Sequence, residues 1–219
     1  TMLPIINIVG VSNSGKTTFL EQLIPDLRRR GYRVGTLKHV AHGFEMDREG
    51  KDTWRHRNAG AQTIAIASPT MLGAIREMDP EMPVEEIAGR YFWTEDILLV
   101  EGYKLSHFPK IEVYRSAVAA KPLCSAKDNL FAMVTEDVVD LDIPLFRFDE
   151  VSRVADLIEE RYLKSRKEPR IVVFLDGRQL PMKDFVKDFV IGGTVGMLSS
   201  LRGWKVPRKI DIQIRLDDE

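Results

Sequence analysis

Residues 10–18 carry the clearest chemical signal in the sequence. They read Gly-Val-Ser-Asn-Ser-Gly-Lys-Thr-Thr and match G-x-x-x-x-G-K-S/T, the pattern of a phosphate-binding loop. Glycines let the backbone curl around phosphate oxygens with its N–H groups turned inward, at a helix start that attracts anions. We expect Lys16 to reach the β- and γ-phosphates and the Thr17 hydroxyl to coordinate Mg²⁺. The sequence therefore predicts a site for a nucleoside phosphate.

The segments on both sides of this loop fit that role. Residues 4–9 form a short apolar, β-rich run that is typical of a buried parallel strand. After the loop, apolar residues recur at helical spacing as far as Leu27, and Gly31 then provides the expected helix end. The alternative is a chance match in a Gly/Ser turn, and both flanks argue against it.

A second signal is the run of four aliphatic residues and an acid at residues 97–101, followed by Gly102. This pattern predicts a buried strand whose end places a carboxylate near Mg²⁺. Glu101 is the acid here, where aspartate is commoner. The backbone N–H of Gly102 is expected to approach the terminal phosphate. The alternative is a buried strand that merely ends in a surface glutamate.

A further strand is predicted at residues 33–40, and its polar end carries Lys38 and His39. The carboxyl ends of strands carry the ligand site in doubly wound sheets, so both side chains should point toward the phosphate loop. His39, His42 and Asp47 also suggest a metal site. Zinc needs three or four ligands in fixed geometry, so we favour contacts to phosphate or to Mg²⁺-bound water. Asp47 is then a second acid near the metal or a solvated side chain.

Strand and helix patterns alternate along most of the chain. They predict an α/β fold of the P-loop NTPase type, with a mainly parallel sheet flanked by helices. Other strands are predicted at 61–68, 71–77, 110–115 and 129–135, and helices at 51–59, 84–91 and 151–162. The strands at 61–68 and 71–77 are close enough to pair as a hairpin. Asp52 or Thr53 is the expected N-cap of the helix at 51–59.

A charged stretch that ends in Pro169 indicates a linker. It separates a predicted nucleotide-binding domain, residues 1–164, from a small α+β appendage, a β-α-β-like unit at residues 169–219. The expected elements of this appendage are a strand at 171–176, a turn at Gly177, a helix after Pro181 and a closing strand at 209–216. Gly192, Gly193 and Gly196 are expected either to break that helix or to serve as small packing residues in a bent one.

Composition sets the broad class. The 219 residues are 44% hydrophobic and 30% charged, which describes a soluble globular protein. A net charge of −1 provides no global field to recruit nucleic acid or an anionic membrane. One cysteine, Cys124, excludes an internal disulfide framework, and no apolar run approaches the length of a membrane span. The chain enters its first strand at once, leaving no room for a signal peptide, so a cytoplasmic location is expected.

Several stretches together resemble the MobB family, the nucleotide-binding proteins of molybdopterin guanine dinucleotide biosynthesis. The likeness covers roughly residues 4–164. The segments that carry this likeness are residues 8–18, 37–39 with His42 and Asp47, 50–53, 55–57, 59–61 and 99–104. The specific blocks are residues 38–61 and the Val-Glu-Gly strand end at 100–102.

The resemblance implies a GTP-binding homodimer with weak GTPase activity that works with a MobA-type guanylyltransferase and molybdopterin. By position, Lys16 and Glu101 would be catalytic, and Thr17 and Glu101 would bind Mg²⁺. The residues expected to contact the nucleotide are Gly10, Ser12, Asn13, Ser14, Gly15, Lys16, Thr17, Thr18, Lys38, His39, Asp47 and Gly102. An N/T-K-x-D guanine motif is missing, because residues 135–137 (Thr-Glu-Asp) lack the lysine and Lys127-Asp128 has the wrong spacing. Guanine preference therefore rests on the resemblance alone.

Two other functions remain open from the sequence. In a small-molecule kinase, the basic residues between Arg48 and Arg57 would clamp a phosphate, although such charges are more often a solvated face. A nucleotide-gated metal chaperone is the other alternative. A single cysteine argues against it, since a soft-metal site needs more thiolate or imidazole ligands.

Overall fold

The computed structural model describes residues 3–40, 42–45, 47–164, 171–175, 178–207, 210–212 and 214. The chain divides into two compact units, Thr1–Glu168 and Pro169–Glu219, which are described separately below. The assignment of nucleotide binding to residues 1–164 and of a distinct domain to residues 169–219 stays a prediction.

The first unit alternates strands and helices. In chain order its elements are β1 (Ile5–Val9), α1 (Lys16–Arg29), β2 (Val34–Lys38), α2 (Asp52–Asn58), β3 (Thr63–Ala67), β4 (Leu72–Arg76), α3 (Val84–Tyr91), β5 (Ile97–Glu101), β6 (Lys110–Val113), β7 (Leu130–Val134), β8 (Leu145–Phe146) and α4 (Val151–Ile158). A 3₁₀ turn, Ala126–Asp128, precedes β7, and a π-helical segment, Glu159–Leu163, continues α4. The two-residue strand β8 is absent from the sequence prediction because it is too short to show a period.

Six of these strands form one parallel sheet in the order β2-β5-β1-β6-β7-β8. The central strand β1 lies between β5 and β6 and is buried along its whole length. Parallel strands covered on both faces read as continuous apolar runs, which is why the sequence identified β1, β5 and β7. The predicted α/β fold, a mainly parallel sheet flanked by helices, is confirmed.

Helix α1 packs on the sheet through Phe19, Leu23 and Leu27, all of them buried in the main core. The helix ends as predicted. Gly31 takes a left-handed φ of 94° and donates its N–H to Arg28 O, while the next amide, that of Tyr32, donates to Leu27 O.

Arg30 ties the end of α1 to α4. Its guanidinium donates to Asp156 and Glu159 at 2.6 and 2.9 Å, and to Asp26 of its own helix at 2.7 Å. Charge-assisted hydrogen bonds of this kind are the stronger ones in proteins. The arginine run that closes α1 therefore has a structural role in this fold.

Two charged side chains in β6 are buried and fix the loops around that strand. Lys110 donates its ammonium to the carbonyls of Ser106 and Asp128. Glu112 accepts the backbone N–H groups of Leu123 and Cys124 at 2.6 and 2.9 Å. Burial raises the pKa of Glu112, although those two amides act in the opposite direction.

Strands β3 and β4 pair antiparallel, which confirms the predicted hairpin. The N-cap predicted for α2 is wrong: Lys51, not Asp52 or Thr53, occupies the cap position. The Thr53 hydroxyl instead donates to Asp47 Oδ1 at 3.0 Å. Asp47, in the loop before α2, thus accepts a hydrogen bond from the Thr53 hydroxyl, which the sequence had suggested as a helix cap.

The second unit contains a hairpin of β9 (Phe174–Leu175) with β10 (Arg178–Gln179) and a helix α5 (Asp184–Ser199). The helix expected after Pro181 is present. It runs unbroken through Gly192, Gly193 and Gly196, so the predicted break is wrong.

Two other expectations for this unit fall largely outside the described residues. The predicted turn at Gly177 lies outside them. Of the closing strand predicted at 209–216, residues 210–212 and 214 are described and none is in a strand. Within the described part of the chain, no helix combines the length and the hydrophobicity needed to span a membrane.

Candidate nucleotide-binding site

The loop at residues 10–15 connects the end of β1 to the start of α1. It contains three residues with positive φ: Gly10 at 146°, Asn13 at 63° and Gly15 at 102°. A Cβ on Gly10 would lie 2.4 Å from Val113 O and 2.6 Å from Ser14 Oγ. The loop therefore packs against the end of β6 so closely that only glycine fits at this position.

Lys16 folds back over this loop. Its ammonium donates to Gly10 O at 3.0 Å and to Val11 O at 2.7 Å. Burial lowers the pKa of Lys16, with Glu101 opposing that shift and Lys38 adding to it. The charge expected to bind phosphate is thus positioned at the mouth of the loop.

Ser14 lies inside the loop with no exposed surface, and its hydroxyl has no hydrogen-bond partner among the described residues. A buried polar atom left without a partner costs about 1–3 kcal/mol, so an oxygen-rich ligand would relieve that cost. Ser12 and Asn13 are exposed at the tip of the loop, and Thr18 is exposed on the first turn of α1.

Thr17 at the start of α1 meets the carboxylate of Glu101 at the end of β5. The hydroxyl is 3.2 Å from Oε2 and 3.4 Å from Oε1. Lys38 on β2 places its ammonium 3.5 Å from Glu101 Oε1. The sheet order brings the ends of β2, β5 and β1 side by side, which explains why these three side chains meet.

The Thr17–Glu101 pair suits Mg²⁺. Two neighbouring ligands of an octahedral Mg²⁺ at 2.0–2.1 Å are about 2.9 Å apart, close to the spacing of these oxygens. In the described ranges, no three His, Cys, Asp or Glu side chains come together as a metal cluster. The donor set is therefore one carboxylate and one hydroxyl, which fits an ion that takes its other ligands from phosphates and water.

The buried side chain of Asn7 in β1 anchors the turn after β5. Its amide donates to Gly102 O and Tyr103 O, each at 3.0 Å, and to Ser106 Oγ at 2.9 Å. Gly102 adopts a φ of 108° and donates its N–H to Ile8 O at 3.1 Å. The amide expected to reach a terminal phosphate is thus bonded to β1, and that role stays a prediction that requires this bond to open.

His39 and Asp47 have other partners in this structure. The His39 ring stacks on Tyr103 with centroids 3.9 Å apart, and its Nε2 lies 3.3 Å from Glu81. Asp47 Oδ1 accepts the backbone N–H of Arg48 and the Thr53 hydroxyl, while Oδ2 is buried with no partner among the described residues. Nucleotide contacts by His39 and Asp47 stay predictions.

Two side chains at the loop were absent from the sequence prediction. Arg115 and Phe148 pack on Gly15, where an added Cβ would lie 3.4 Å from Arg115 Nη2 and 3.3 Å from Phe148 Cε1. Both residues follow strand ends, β6 and β8 respectively. The available sequence signal for Arg115 was a polar residue at the end of the strand predicted at 110–115, whereas Phe148 follows a strand that was not predicted.

A protein-family comparison agrees with the geometry. The model of MobB, described as molybdopterin guanine dinucleotide synthesis protein B, matches residues 5–136, more than half of the chain. This chain belongs to the MobB family. The match includes the phosphate loop, Lys38, the segment around Asp47, and Glu101.

Individual MobB relatives support the assignment. A molybdopterin-guanine dinucleotide biosynthesis adapter protein of Haemophilus influenzae is 35% identical over 158 residues, covering 72% of this chain and 88% of the relative. The protein of the same name from Escherichia coli is 34% identical over 164 residues, covering 73% and 94%. The crystal structure of Bacillus subtilis MobB gives a TM-score of 0.58 at 29% identity, covering 75% of this chain and all of that one.

The packing of Gly10 yields a stability prediction. Gly10→Ala should lower the free energy of unfolding by more than about 2 kcal/mol, because the new Cβ would collide with Val113 O. Gly31→Ala is the control: it also adds a side chain at positive φ, but meets no atom within 4 Å, so it should cost only about 1 kcal/mol. Urea denaturation measures both, and equal losses would contradict a steric requirement at Gly10.

Proposed function

We propose that this MobB-family chain is an adapter protein of molybdopterin-guanine dinucleotide biosynthesis that binds GTP with Mg²⁺ and hydrolyses it slowly. The observation that carries the proposal is the Thr17–Glu101 pair beside a glycine loop with a buried, unpartnered Ser14 hydroxyl. The pathway is inferred from the names of the relatives, and the preference for guanine is inferred from the resemblance to the MobB family.

Each part of the site has a role in this proposal. The backbone of residues 10–15 and the Ser14 hydroxyl hold phosphate oxygens, and Lys16 leaves its own carbonyl partners to bind the β- and γ-phosphates. Thr17 and Glu101 hold Mg²⁺, which supplies charge neutralisation at those phosphates. Lys38, already 3.5 Å from Glu101, adds positive charge on the same side.

We expect hydrolysis to be slow because the carboxylate and the imidazole near the loop already have other partners. Glu101 is engaged by Thr17 and Lys38, and His39 is held by Tyr103 and Glu81. Neither group is placed as a strong base for an attacking water, and base catalysis alone commonly contributes a factor of about 10²–10⁴. A rate constant well above ~1 s⁻¹ for the isolated protein would contradict the proposal, since kinases work at that rate or faster.

Lys16→Ala tests the phosphate loop. The variant should lose GTP affinity by about 100-fold or more, because it removes the ammonium that lies at the loop. It should remain folded, since the hydrogen bonds that it loses go to two carbonyls of that loop, Gly10 O and Val11 O. Calorimetric titration with GTP and Mg²⁺, beside thermal unfolding, measures both properties. The exposed Lys127→Ala is the control, and unchanged GTP binding by Lys16→Ala would refute the proposed site.

Glu101→Gln tests the metal assignment. The substitution keeps the size of the side chain and removes the charge that Mg²⁺ requires, so we expect turnover to fall by about tenfold or more. GTP affinity should change by less than about threefold, because phosphate contacts remain. Glu21→Gln, which alters an exposed acid on α1, should change neither quantity. Equal loss of turnover and affinity in Glu101→Gln would argue against a metal role.

We propose that the protein is a homodimer in which the β3–β4 hairpin contacts a second copy. A two-stranded hairpin is at best marginally stable alone, and unpaired strand edges are templates for pairing. This hairpin exposes Ile66 at 66%, Met71 at 75% and Leu72 at 75%. A second copy offers the same strands and the same apolar side chains, so the two hairpins are self-complementary.

Leu72→Lys should convert such a dimer to a monomer, because a charge would be buried in the interface. Sedimentation velocity at micromolar concentration gives the measurement. Leu105→Lys is the matched control, since Leu105 is 93% exposed in a loop outside the hairpin and should leave the dimer intact. A monomeric wild-type protein at tens of micromolar would refute the assignment.

We further propose that the chain acts in the cytoplasm with a MobA-type guanylyltransferase and with molybdopterin. The loop between Lys38 and Thr53 follows the site directly, and its described residues, 39–40, 42–45 and 47–52, are mostly exposed; this loop is the surface proposed to meet that partner or its cofactor. The net charge of −1 gives no support to nucleic acid or membrane as a partner.

A further inference from the structure

Given the proposed function, the positions of the residues that bind metal and phosphate set the direction in which the nucleotide lies. Thr17, Glu101 and Lys38 mark the end where the metal and the terminal phosphates lie. That end is on the β5–β2 side of β1. The nucleoside therefore extends to the opposite side, over the carboxyl ends of β6, β7 and β8, where open α/β sheets also bind ligands.

Arg115 and Phe148 form a cation–π pair on that side of the sheet. The Arg115 guanidinium carbon lies 4.2 Å from the centroid of the Phe148 ring. Both groups pack against Gly15, the residue just before α1. Arg115 is an exposed residue, so its side chain keeps surface open to a ligand while the guanidinium lies over the Phe148 ring.

The neighbouring acids hold this pair in place without occupying it. Asp137 accepts the amide of Ser116 at 2.7 Å and the Ser116 hydroxyl at 2.5 Å. Glu136 accepts the backbone N–H of Phe148 at 3.1 Å and the guanidinium of Arg147 at 2.8 Å. Across the described residues, no acid lies within 4 Å of the Arg115 guanidinium, and the charge of Asp137 acts on it only from farther away. Its guanidinium plane is thus supported and available.

We propose that the purine base of the nucleotide stacks on the open face of the Arg115 guanidinium, with Phe148 as the positioning residue behind it. Arginine planes and aromatic rings are common stacking partners of bases, and stacking tolerates any base because each has a π-face. The carboxylates after β7 that could read the guanine edge are engaged by Ser116 and Arg147. This stacking platform, the Arg115 guanidinium with Phe148 behind it, therefore binds GTP and ATP alike and does not itself select guanine.

The test compares GTP, ATP and inorganic tripolyphosphate, each with Mg²⁺, by calorimetric titration of the full chain. Arg115→Ala and Arg115→Lys should each weaken GTP and ATP binding by about tenfold. Tripolyphosphate binding should stay within about twofold for both variants. Arg115→Lys is the sharper variant, because it keeps the positive charge and removes only the stacking plane.

Two further variants separate the platform from general effects. Phe148→Leu keeps an apolar side chain on Gly15 and should weaken GTP binding by about threefold, with tripolyphosphate binding unchanged. Arg153→Ala is the matched control. Arg153 also lies over a phenylalanine ring, 5.6 Å from the Phe146 centroid, but on α4. It should leave all three ligands unaffected.

The outcomes distinguish this inference from the proposed function. Loss of tripolyphosphate and GTP binding together in Arg115→Ala, restored in Arg115→Lys, would show a phosphate contact and overturn the platform. Unchanged GTP binding in both Arg115 variants would overturn it as well, as would a wild-type protein that binds GTP no better than tripolyphosphate. A wild-type protein that binds neither ligand would overturn the proposed function and this inference with it.

Discussion

The site depends on the close approach of the Gly10 backbone to the carbonyl of Val113. An added Cβ on Gly10 would lie only 2.4 Å from Val113 O, so the loop packs too tightly against the end of β6 to move freely relative to the sheet. The start of α1 is thereby fixed over the strand ends, and Thr17 comes within reach of Glu101. The order of the strands then decides the rest, because it places the charges of β5 and β2 on one side of the loop and Arg115 on the other.

Buried polar side chains extend that precision to the surrounding loops. Asn7, Lys110 and Glu112 all lie within strands of the central sheet, yet each uses its hydrogen bonds on a connecting segment. Such groups are costly to bury unless they are satisfied. Their hydrogen bonds fix the turn after β5 and the segments before β6 and between β6 and β7, although the side-chain oxygen of Asn7 has no partner among the described residues.

The sequence predicted most of the parallel sheet, together with the phosphate loop and the Glu101 strand, because these signals are local and periodic. What it missed depends on tertiary contacts. The Thr53 hydroxyl, expected to cap α2, instead donates to Asp47, a side chain from the preceding loop. Phe148 follows a strand of two residues, too short to have a period, and its pairing with Arg115 joins segments far apart in the chain. His39 was predicted from its strand end alone, whereas its stacking on Tyr103 could be seen only in the folded chain.

The hydrogen bonds of Lys16 to Gly10 and Val11 have an energetic consequence for ligand exchange. A phosphate gains the ammonium only by displacing two carbonyls, so the affinity reflects the difference between two sets of contacts and not the full strength of the new one. The same two carbonyls could receive the ammonium again if a phosphate left, so the lysine has a hydrogen-bonded position in either case.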